Sequence, residues 1–391
     1  MSVENHLAEL RQARGLSAAE LAAKAGITRQ TIYAIEANTY VPNTTVALRL
    51  ARLLGAAVED VFHLPDEPSA PPRTMEVDLL SDDEVAQDGQ PVQLARVGAR
   101  AVGVVRSPLI WELPPADALL MGASQPNTRA RVRLLHDSER LKNRLVVAGC
   151  DPGMSVLARY ALKAGVELVM IHANSSRALA MLKAGLIHVA GSHLRDEATG
   201  ESNLTAVGKR FPRSSAVVVN LATWEQGIVV AKKNPKSIHG IEDLARRDVR
   251  LINREPGAGS RALLDAGLVR VGINRKHVRG YDSVATGHLP AAWQVRLGNA
   301  DGCIATRACA RVLGLDFIPL INERYDLVLK KAFLALPTVA SLLDTLSRAD
   351  FRRELEVLGD YDTHNAGKIM TDRRDAVSNI PLNFAKLRRV V

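Results

Sequence analysis

The sequence is poor in the features that mark secreted and membrane proteins. Its 391 residues contain only three cysteines and 4% aromatic residues, and no apolar run approaches the roughly 18 residues that span a bilayer. Cys150, Cys303 and Cys309 lack the spacing of metal ligands, so we expect reduced, mostly buried thiols. The N-terminus has neither the basic nor the apolar region of a signal peptide. We therefore expect a cytoplasmic protein of two or three domains without membrane association.

The net charge of +9 does not by itself indicate a nucleic-acid partner. Residues 1–63 contain six Lys or Arg and six Asp or Glu, and the basic excess lies in residues 92–144 and 366–391. An argument for DNA binding must therefore rest on motifs. Apolar and basic residues alternate over 92–135, which predicts a few strands with one solvated basic face. We treat residues 92–143 as a basic, β-rich connecting segment and residues 361–391 as a basic tail.

Short helices are predicted at the N-terminus. Apolar residues recur there at three- and four-residue spacing, which indicates several helices around one small core. Ser17 and Glu20 form an S-x-x-E capping box, Gly26 ends that helix, and Thr28 opens the next one. A further helix is expected after Asn43. The interval of about three residues between the two helices is typical of a helix-turn-helix.

The segment RQARGLSAAELAAKAGITRQTIYAIEANTYVPNTTVALRLARLLGAAVEDVF resembles the Cro and lambda-repressor type of helix-turn-helix domain. This resemblance implies that residues 1–63 bind double-stranded DNA and that the helix at 28–37 enters the major groove. Gln30 can pair with adenine, Arg29 can reach guanine or phosphate, and Glu36 is expected to tie helices together. A helical docking module without DNA binding is the alternative. The candidate DNA-binding residues are Ser17, Thr28, Arg29, Gln30, Tyr33 and Asn38.

The remaining sequence predicts an extended linker followed by an α/β domain. Residues 64–91 are rich in proline and acidic residues, which favours an extended linker. From residue 144 onward, short apolar strands alternate with helices, as in a parallel sheet covered on both faces. The strand-to-helix loops CDPGMS, HANSSR, REPGAGSR, SVATGH and CIATRA carry small or hydroxyl residues. Helix N-termini that converge with hydroxyl groups provide neutral donors for a small anion.

Three segments carry a second resemblance. HANSSRALAMLKAGLIHVAGSHLRDEATGESN, REPGAGSRALLD and GNADGCIATRACARVLGLDFIPLINERYDLVL look like a cytoplasmic periplasmic-binding-protein-like domain that is similar to molybdate-binding proteins. Over residues 144–360 this implies a two-lobed, type II α/β fold that closes on a ligand in its cleft. The implied effector is a small anion such as molybdate or tungstate, without a covalent cofactor. The implied ligand-binding residues are Ser155, Ser175, Ser176, Gly257, Gly259, Ser260, Thr286 and Thr306.

Two carboxylates depart from this pattern. Asp151 and Glu255 stand at the mouths of two loops, where a carboxylate repels an oxyanion by several kcal/mol in a poorly solvated site. Either they cap backbone N–H groups, which we favour, or the effector is an anionic organic metabolite. Arg177 and Arg261 can offset these charges or grip a larger anion. Asp151, Arg177 and Arg261 therefore join the candidate ligand-binding residues.

The remaining expectations concern function and assembly. His172, His188 and His193 repeat no ligand spacing, so we expect no metal site. The sequence contains no readable set of nucleophile, base and orienting residue, so we expect a transcription regulator and not an enzyme. An enzyme acting in the cleft remains the competing class. A homodimer or higher homo-oligomer is expected, because helix-turn-helix proteins usually contact two half-sites.

Overall fold

The computed structural model describes residues 3–63, 73–81, 85–105, 113–135, 138–196, 199–212 and 215–370. The chain folds as two compact units, Met1–Arg73 and Thr74–Val391. Residues 64–72 of the predicted linker and residues 371–391 of the predicted tail lie outside the described residues. Among the helices that the structure describes, none is long and apolar enough to cross a membrane.

The first unit is a small helical bundle with one short strand pair. Its elements are β1 (Glu4–Asn5), α1 (Leu7–Ala13), α2 (Ala18–Ala25), α3 (Arg29–Glu36), α4 (Thr44–Leu54), α5 (Val58–Val61) and β2 (Phe62–His63). The predicted capping box of Ser17 and Glu20 is present, and Gly26 ends α2 in the left-handed conformation. The hydroxyl of Thr28 caps α3 and the amide of Asn43 caps α4. The predicted helix boundaries of the helix-turn-helix are therefore confirmed to within a residue.

A closed five-stranded barrel opens the second unit. Its strands are β3 (Thr74–Leu80), β4 (Pro91–Val97), β5 (Arg100–Val105), β6 (Ala118–Met121) and β7 (Arg129–Leu134), in the order β3-β5-β4-β6-β7. The prediction of a linker over 64–91 is wrong from Thr74 onward, because Val77 and Leu79 of β3 lie in the barrel core. The neighbouring prolines and acidic residues concealed the alternating pattern of this strand.

The α/β domain follows the barrel. Its elements are β8 (Arg144–Gly149), α6 (Met154–Lys163), β9 (Glu167–His172), α7 (Ser175–Ala184), β10 (Val189–Ser192), α8 (Leu204–Arg210), β11 (Ala216–Val230), β12 (Asn253–Arg254), α9 (Gly259–Arg270), β13 (Val284–Ala285), α10 (His288–Arg296), β14 (Gly302–Thr306), α11 (Arg307–Leu313), β15 (Asp316–Lys330), α12 (Pro337–Leu346), α13 (Ala349–Gly359) and β16 (Ile369–Met370).

Two lobes share one sheet. Its strand order is β14-β11-β15-β10-β8-β9, and β16 pairs with β11. Lobe 1 is built on the parallel strands β8, β9 and β10 of this sheet. Lobe 2 is built on β14 of the same sheet and on β12 and β13, which pair in a separate two-stranded parallel sheet. The antiparallel strands β11 and β15 pair over their whole length, from Ala216 opposite Lys330 to Val230 opposite Asp316. These long strands connect the lobes, and their midpoints lie at the cleft.

The barrel packs against lobe 1. Leu80, Val97 and Val104 of the barrel share a hydrophobic cluster with Val146 and Val169 of lobe 1. An ion-pair network built around a buried arginine at the start of β8 lies beside this cluster. This arginine is Arg144. Its guanidinium donates to the carboxylates of Asp117 (2.6 Å) and Glu167 (2.7 Å) and to the backbone oxygen of Leu94 (2.9 Å). The strands of the segment at 92–143 therefore belong to a barrel that is anchored to the α/β domain.

The predicted tail begins within the fold. Tyr361 is buried against Trp224, with ring centroids 6.3 Å apart, and β16 pairs with Val218 and Val219 of β11. The prediction of a separate tail over 361–391 is therefore wrong for residues 361–370. The high charge of the segment as a whole hid the few apolar residues that fix its first ten residues to the sheet.

Candidate functional site

The outward face of α3 presents the predicted DNA-reading side chains. Thr28, Arg29, Gln30 and Tyr33 are exposed, whereas Ile32 of the same helix is buried in the core. Arg29 donates to the Tyr33 hydroxyl at 2.9 Å, and its guanidinium lies 5.2 Å from the ring centroid. This pairing holds a positive charge and a phenol side by side on the face that a major groove would meet.

Three other residues of this unit have structural contacts. Ser17 is occupied by its capping box, and its hydroxyl donates to Glu20 at 2.7 Å. The Asn38 side-chain oxygen accepts from Asn5 at 2.5 Å. Glu36 accepts two hydrogen bonds from Arg11, at 2.6 and 3.2 Å, so the expectation that it ties helices together is confirmed. The side chains of Ser17 and Asn38 thus form hydrogen bonds to other residues of the helix-turn-helix domain.

Polar side chains meet in the cleft at the midpoint of the long strands. Trp224 of β11 stands opposite Glu323 of β15, and the Gln226 side chain donates to the Glu323 carboxylate at 2.6 Å. A Cβ atom at Gly149 or at Gly191 would overlap with the Tyr325 hydroxyl, so both positions require glycine. These contacts place a buried polar cluster between the lobes.

Lobe 1 contributes residues from the carboxyl ends of its strands. Cys150 follows β8, and its sulfur lies 3.6 Å from Nε2 of His193, which follows β10. Nδ1 of His193 lies 2.8 Å from Glu323. Ser175, at the start of α7, accepts a hydrogen bond from the His193 backbone at 3.0 Å. The strand order thus brings a thiol, an imidazole and a carboxylate into one chain of contacts.

Lobe 2 contributes an arginine, a serine and a second histidine. Arg254 is 1% exposed and donates to both carboxylate oxygens of Glu255, at 2.8 and 2.9 Å. Ser260, in the first turn of α9, lies 3.4 Å from Nδ1 of His288 at the start of α10. The rings of His288 and His193 are 5.5 Å apart, so the two lobes are in direct contact.

Burial and neighbouring charges shift the pKa values of these groups. Burial raises the pKa of Asp151 to about 7, although hydrogen bonds from Tyr361 and Gly153 act to lower it. Burial alone would lower the pKa of His193, but Cys150 and Glu323 outweigh it and raise the pKa to about 10. Burial lowers the pKa of His288 well below its usual value. The cleft therefore combines imidazoles of very different proton affinity.

The structure brings several predicted ligand-binding residues to the junction between the lobes. The Asn174 side chain, which caps α7, donates to the backbone oxygen of Pro256 at 3.2 Å across the cleft. A Cβ atom at Gly257 would lie 3.3 Å from Cβ of Ser176, and Gly257 has a positive φ of 88°. Ser175, Gly259 and Ser260 also lie beside His193 or His288.

Three predicted ligand-binding hydroxyls are placed differently from the prediction. The Ser155 hydroxyl donates to its own turn at Pro152, and Thr286 is exposed at the entry to α10. The Thr306 hydroxyl donates to Cys309. The hydroxyls of Ser155 and Thr306 thus have local acceptors and that of Thr286 is exposed, so a role of the three as cage donors is not supported.

The arginines are also placed differently from the prediction. Arg177 donates to the backbone oxygen of Ser81 in the barrel, at 2.5 Å. Arg261 donates to a backbone oxygen and lies 4.8 Å from the Tyr281 ring centroid. The cation that offsets a cleft carboxylate is Arg254, which the sequence analysis did not select.

The cleft residues of the long strands are not among the residues predicted from the sequence. Trp224, Gln226 and Glu323 were not selected because no strand-to-helix loop contains them. A signal existed in AVVVNLATWEQGIVV, where large polar residues interrupt an otherwise apolar strand. Cys150 was read as a buried thiol, and all three cysteines are indeed free and buried. Its ligand atom, with those of His193 and His288, nevertheless forms a group within 4.8 Å.

Comparisons with known proteins match this architecture. Residues 7–61 match the helix-turn-helix family, and residues 158–347 match the PBP superfamily domain. The uncharacterised protein YvgK of Bacillus subtilis is 35% identical over 230 residues, which are 58% of this chain and 74% of YvgK. YgzD of Bacillus subtilis, an uncharacterised HTH-type transcriptional regulator, is 40% identical over 65 residues, 17% of this chain and 98% of YgzD.

The chain belongs to the proteins that join a helix-turn-helix domain to a PBP superfamily domain. The expected Cro/lambda-type domain and the periplasmic-binding-protein-like α/β domain are both confirmed. Among solved structures, Peb3 from Campylobacter jejuni is similar at 15% identity and a TM-score of 0.39, over 56% of this chain and 98% of Peb3.

Proposed function

We propose that this chain is a one-component transcription regulator whose PBP-like cleft binds a small effector. The helix-turn-helix domain binds operator DNA through the outward face of α3, and occupation of the cleft changes that binding. Relatives of the N-terminal domain such as YgzD, an HTH-type transcriptional regulator, support the DNA-binding part. The exposed Arg29 and Gln30 support it further, because both side chains can reach base edges.

One observation carries the effector proposal. In the cleft, among the residues that the structure describes, five buried polar atoms have no hydrogen-bond partner: Oδ2 of Asp151, Nε1 of Trp224, Oε1 of Gln226, Nη1 of Arg254 and Nε2 of His288. Each such atom costs about 1–3 kcal/mol when it is left unsatisfied. They come from both lobes and from the connecting strand, which is where a ligand gripped by closure would be held.

The chemistry of these atoms favours an anionic organic metabolite. Arg254 and Trp224 offer donors to an anionic group, while Asp151 and Gln226 offer acceptors that a bare oxyanion cannot use. Arg254 is already paired with Glu255, so it leaves only part of its charge for the ligand. A compound with a carboxylate or phosphate and its own donors fits this mixed set.

Molybdate or tungstate is the second candidate. The N-terminus of α9 has no side-chain cap at Ala258, and an uncapped helix N-terminus favours an anion. Its first residue, Gly259, stands directly against the His193 ring. The sequence resemblance to molybdate-binding proteins supports the same candidate.

A thermal-shift panel separates the two candidates. Purified protein is melted with molybdate, tungstate, sulfate, phosphate and a set of organic acids, since a ligand at 100 times its Kd stabilises by about 2.7 kcal/mol. The hit is then titrated by calorimetry into Trp224→Phe, which should lose about tenfold or more in affinity. Trp293→Phe is the matched control, because Trp293 is 44% exposed on α10.

DNA binding must respond to the same compound. An operator selected from random duplexes is bound in a gel-shift titration with and without saturating effector, at fixed salt. A changed Kd supports sensing. A compound that raises the melting temperature but leaves operator affinity unchanged would argue against it.

We propose a homodimer as the DNA-binding species. Helix-turn-helix proteins usually contact two half-sites about one DNA turn apart, which two copies of α3 can span. Light scattering during size-exclusion chromatography tests this. A monomer that stays monomeric on operator DNA would contradict it.

A further inference from the structure

We propose that Cys150, His193 and His288 form a transition-metal site with one open coordination position. The metal would be a borderline divalent ion of the Zn²⁺ class, which prefers thiolate and imidazole ligands. The ligand atoms of the three residues all lie within 4.8 Å of one another, and all three residues are buried.

The distance between sulfur and nitrogen fits a shared ion. Sγ of Cys150 lies 3.6 Å from Nε2 of His193. A tetrahedral ion with Zn–S near 2.3 Å and Zn–N near 2.0 Å would separate these atoms by about 3.5 Å. Cys150 and His193 are thus already spaced as two ligands of one ion.

Both imidazoles are oriented by a second partner, as metal-binding histidines usually are. Nδ1 of His193 lies 2.8 Å from Glu323, and Gln226 in turn donates to that carboxylate at 2.6 Å. Nδ1 of His288 lies 3.4 Å from the Ser260 hydroxyl. Partners at Nδ1 direct each Nε2 toward a metal. Nε2 of His288 has no hydrogen-bond partner in the described parts of the chain.

Arg254, a cation beside the cluster, does not exclude a metal ion. Arg254 is paired with Glu255 through two hydrogen bonds, so its charge is largely balanced within lobe 2. A deprotonated Cys150 would supply a further negative charge at the ion itself. The local charges therefore tolerate a divalent ion.

The same contacts admit a different interpretation, which the structure favours less. Cys150, His193 and Glu323 stand in the order of nucleophile, base and orienting group in thiol hydrolases. That arrangement gives no role to His288, which lies within 4.8 Å of the other two ligands. Cys150 is also only 6% exposed, whereas a nucleophile must be reached by substrate.

A bound ion would link the two lobes. Cys150 and His193 belong to lobe 1 and His288 to lobe 2, so coordination would hold the cleft shut. The fourth position would accept water or an oxygen of the anionic effector. This regulatory consequence rests on the proposed function, whereas the metal site itself does not.

Cobalt provides the direct test. Full-length protein, treated with chelator and reductant and then freed of both, is titrated with Co²⁺ under argon. We expect one equivalent to bind, with a thiolate-to-cobalt charge-transfer band in the near ultraviolet that Zn²⁺ abolishes. Cys150→Ser should lose the band, and His288→Ala should weaken binding at least tenfold. Glu323→Gln should weaken it by about 10–100-fold.

Cys309→Ala is the matched control, because Cys309 is an equally buried thiol outside the cluster, and it should keep the band. Wild-type protein that shows no stoichiometric Co²⁺ binding overturns the site, whatever the variants do. Rapid alkylation of Cys150 by iodoacetamide in protein that binds no Co²⁺ would overturn it in favour of a reactive thiol. Metal binding that leaves operator affinity unchanged would support the site and count against its regulatory consequence.

Discussion

At the residue scale, the carboxylates of the cleft accept hydrogen bonds from neighbours of two kinds. Asp151 accepts from the Gly153 backbone at 2.5 Å and from the Tyr361 hydroxyl at 3.0 Å. The first contact follows from the sequence, since an aspartate capping its own turn was the favoured expectation. The second joins residues 210 positions apart and depends on tertiary packing. Glu255 forms an ion pair with Arg254, the preceding residue. Their adjacency in the sequence makes this pair possible but is not enough to predict it.

The reading face of α3 gives a residue-scale prediction. Gln30→Ala and Arg29→Ala should each weaken specific operator binding by about 1–3 kcal/mol, because a base-edge contact is lost. The fold should persist, since both side chains are exposed. Gel-shift titrations and melting curves measure the two effects. Loss of folding in both variants would mean that these side chains are structural.

His188 gives a prediction about pH. Burial lowers its pKa to about 4, and Nδ1 accepts from the Val146 backbone at 3.0 Å. The unfolded chain, with a pKa near 6.5, binds the proton more tightly, so this contribution to stability is fully present above about pH 6.5 and is lost as the pH falls toward 4. The loss should approach about 1.4 kcal/mol per pH unit within that window.

Urea unfolding of wild type and His188→Asn from pH 4.5 to 7.5 measures this slope. The asparagine amide can accept the same hydrogen bond but does not titrate, so the variant should lose stability less steeply on acidification. Equal slopes for the two proteins would show that His188 does not govern acid stability.

At the element scale, the strands and helices of the α/β domain could be predicted from the sequence. The sequence did not predict that two long strands connect the lobes and carry cleft residues. The alternation of apolar strands and helices predicted from residue 144 onward is present in β8, α6 and β9, because each of these elements buries apolar residues. The residues at the middle of β11 and β15 face a cleft only because these strands leave one lobe for the other. The pairing of two strands that are about 100 residues apart in the sequence cannot be predicted from the residues of either strand alone.

The junction between barrel and lobe 1 gives an element-scale prediction. Arg144→Met keeps the aliphatic stem but leaves Asp117 and Glu167 without their shared cation. It should cost about 2–3 kcal/mol and lower the melting temperature by roughly 4–12 °C. Arg131→Met, which removes an exposed pair with Glu76, should cost less than about 1 kcal/mol. Calorimetry measures the loss of stability in each variant. Equal losses would contradict the expectation that the ion pairs of the buried Arg144 contribute more to stability than the exposed pair of Arg131.

At the scale of the whole molecule, the division into two compact units yields a prediction. A fragment of residues 1–73 should fold, because its helices enclose their own core around residues such as Leu21, Ile32 and Leu50. It should bind operator DNA without any response to effector. Circular dichroism and gel shift measure these properties. An unfolded fragment would show that the helix-turn-helix depends on the rest of the chain.

The barrel marks the limit of sequence reasoning at this scale. Alternation over 92–135 predicted strands, yet closure requires β3, which lies in a segment whose composition indicated a linker. Leu80 and Val104 then pack on lobe 1 rather than stay solvated. The pattern of charged and apolar residues predicts where the strands lie. It does not predict which face of the barrel is buried, because that face packs against lobe 1, which is formed by a different part of the sequence.

The position of Trp224 has a practical consequence. Its indole lies 5.2 Å from the His193 ring and 5.3 Å from the His288 ring, measured between centroids. Any rearrangement of these imidazoles changes the surroundings of the indole, and protonated imidazole quenches indole emission. A variant carrying Trp111→Phe and Trp293→Phe would leave Trp224 as its single tryptophan, which can be excited selectively in the presence of the six tyrosines. Opening and closing of the cleft would then be visible as a change in intrinsic fluorescence, in real time and without an attached dye.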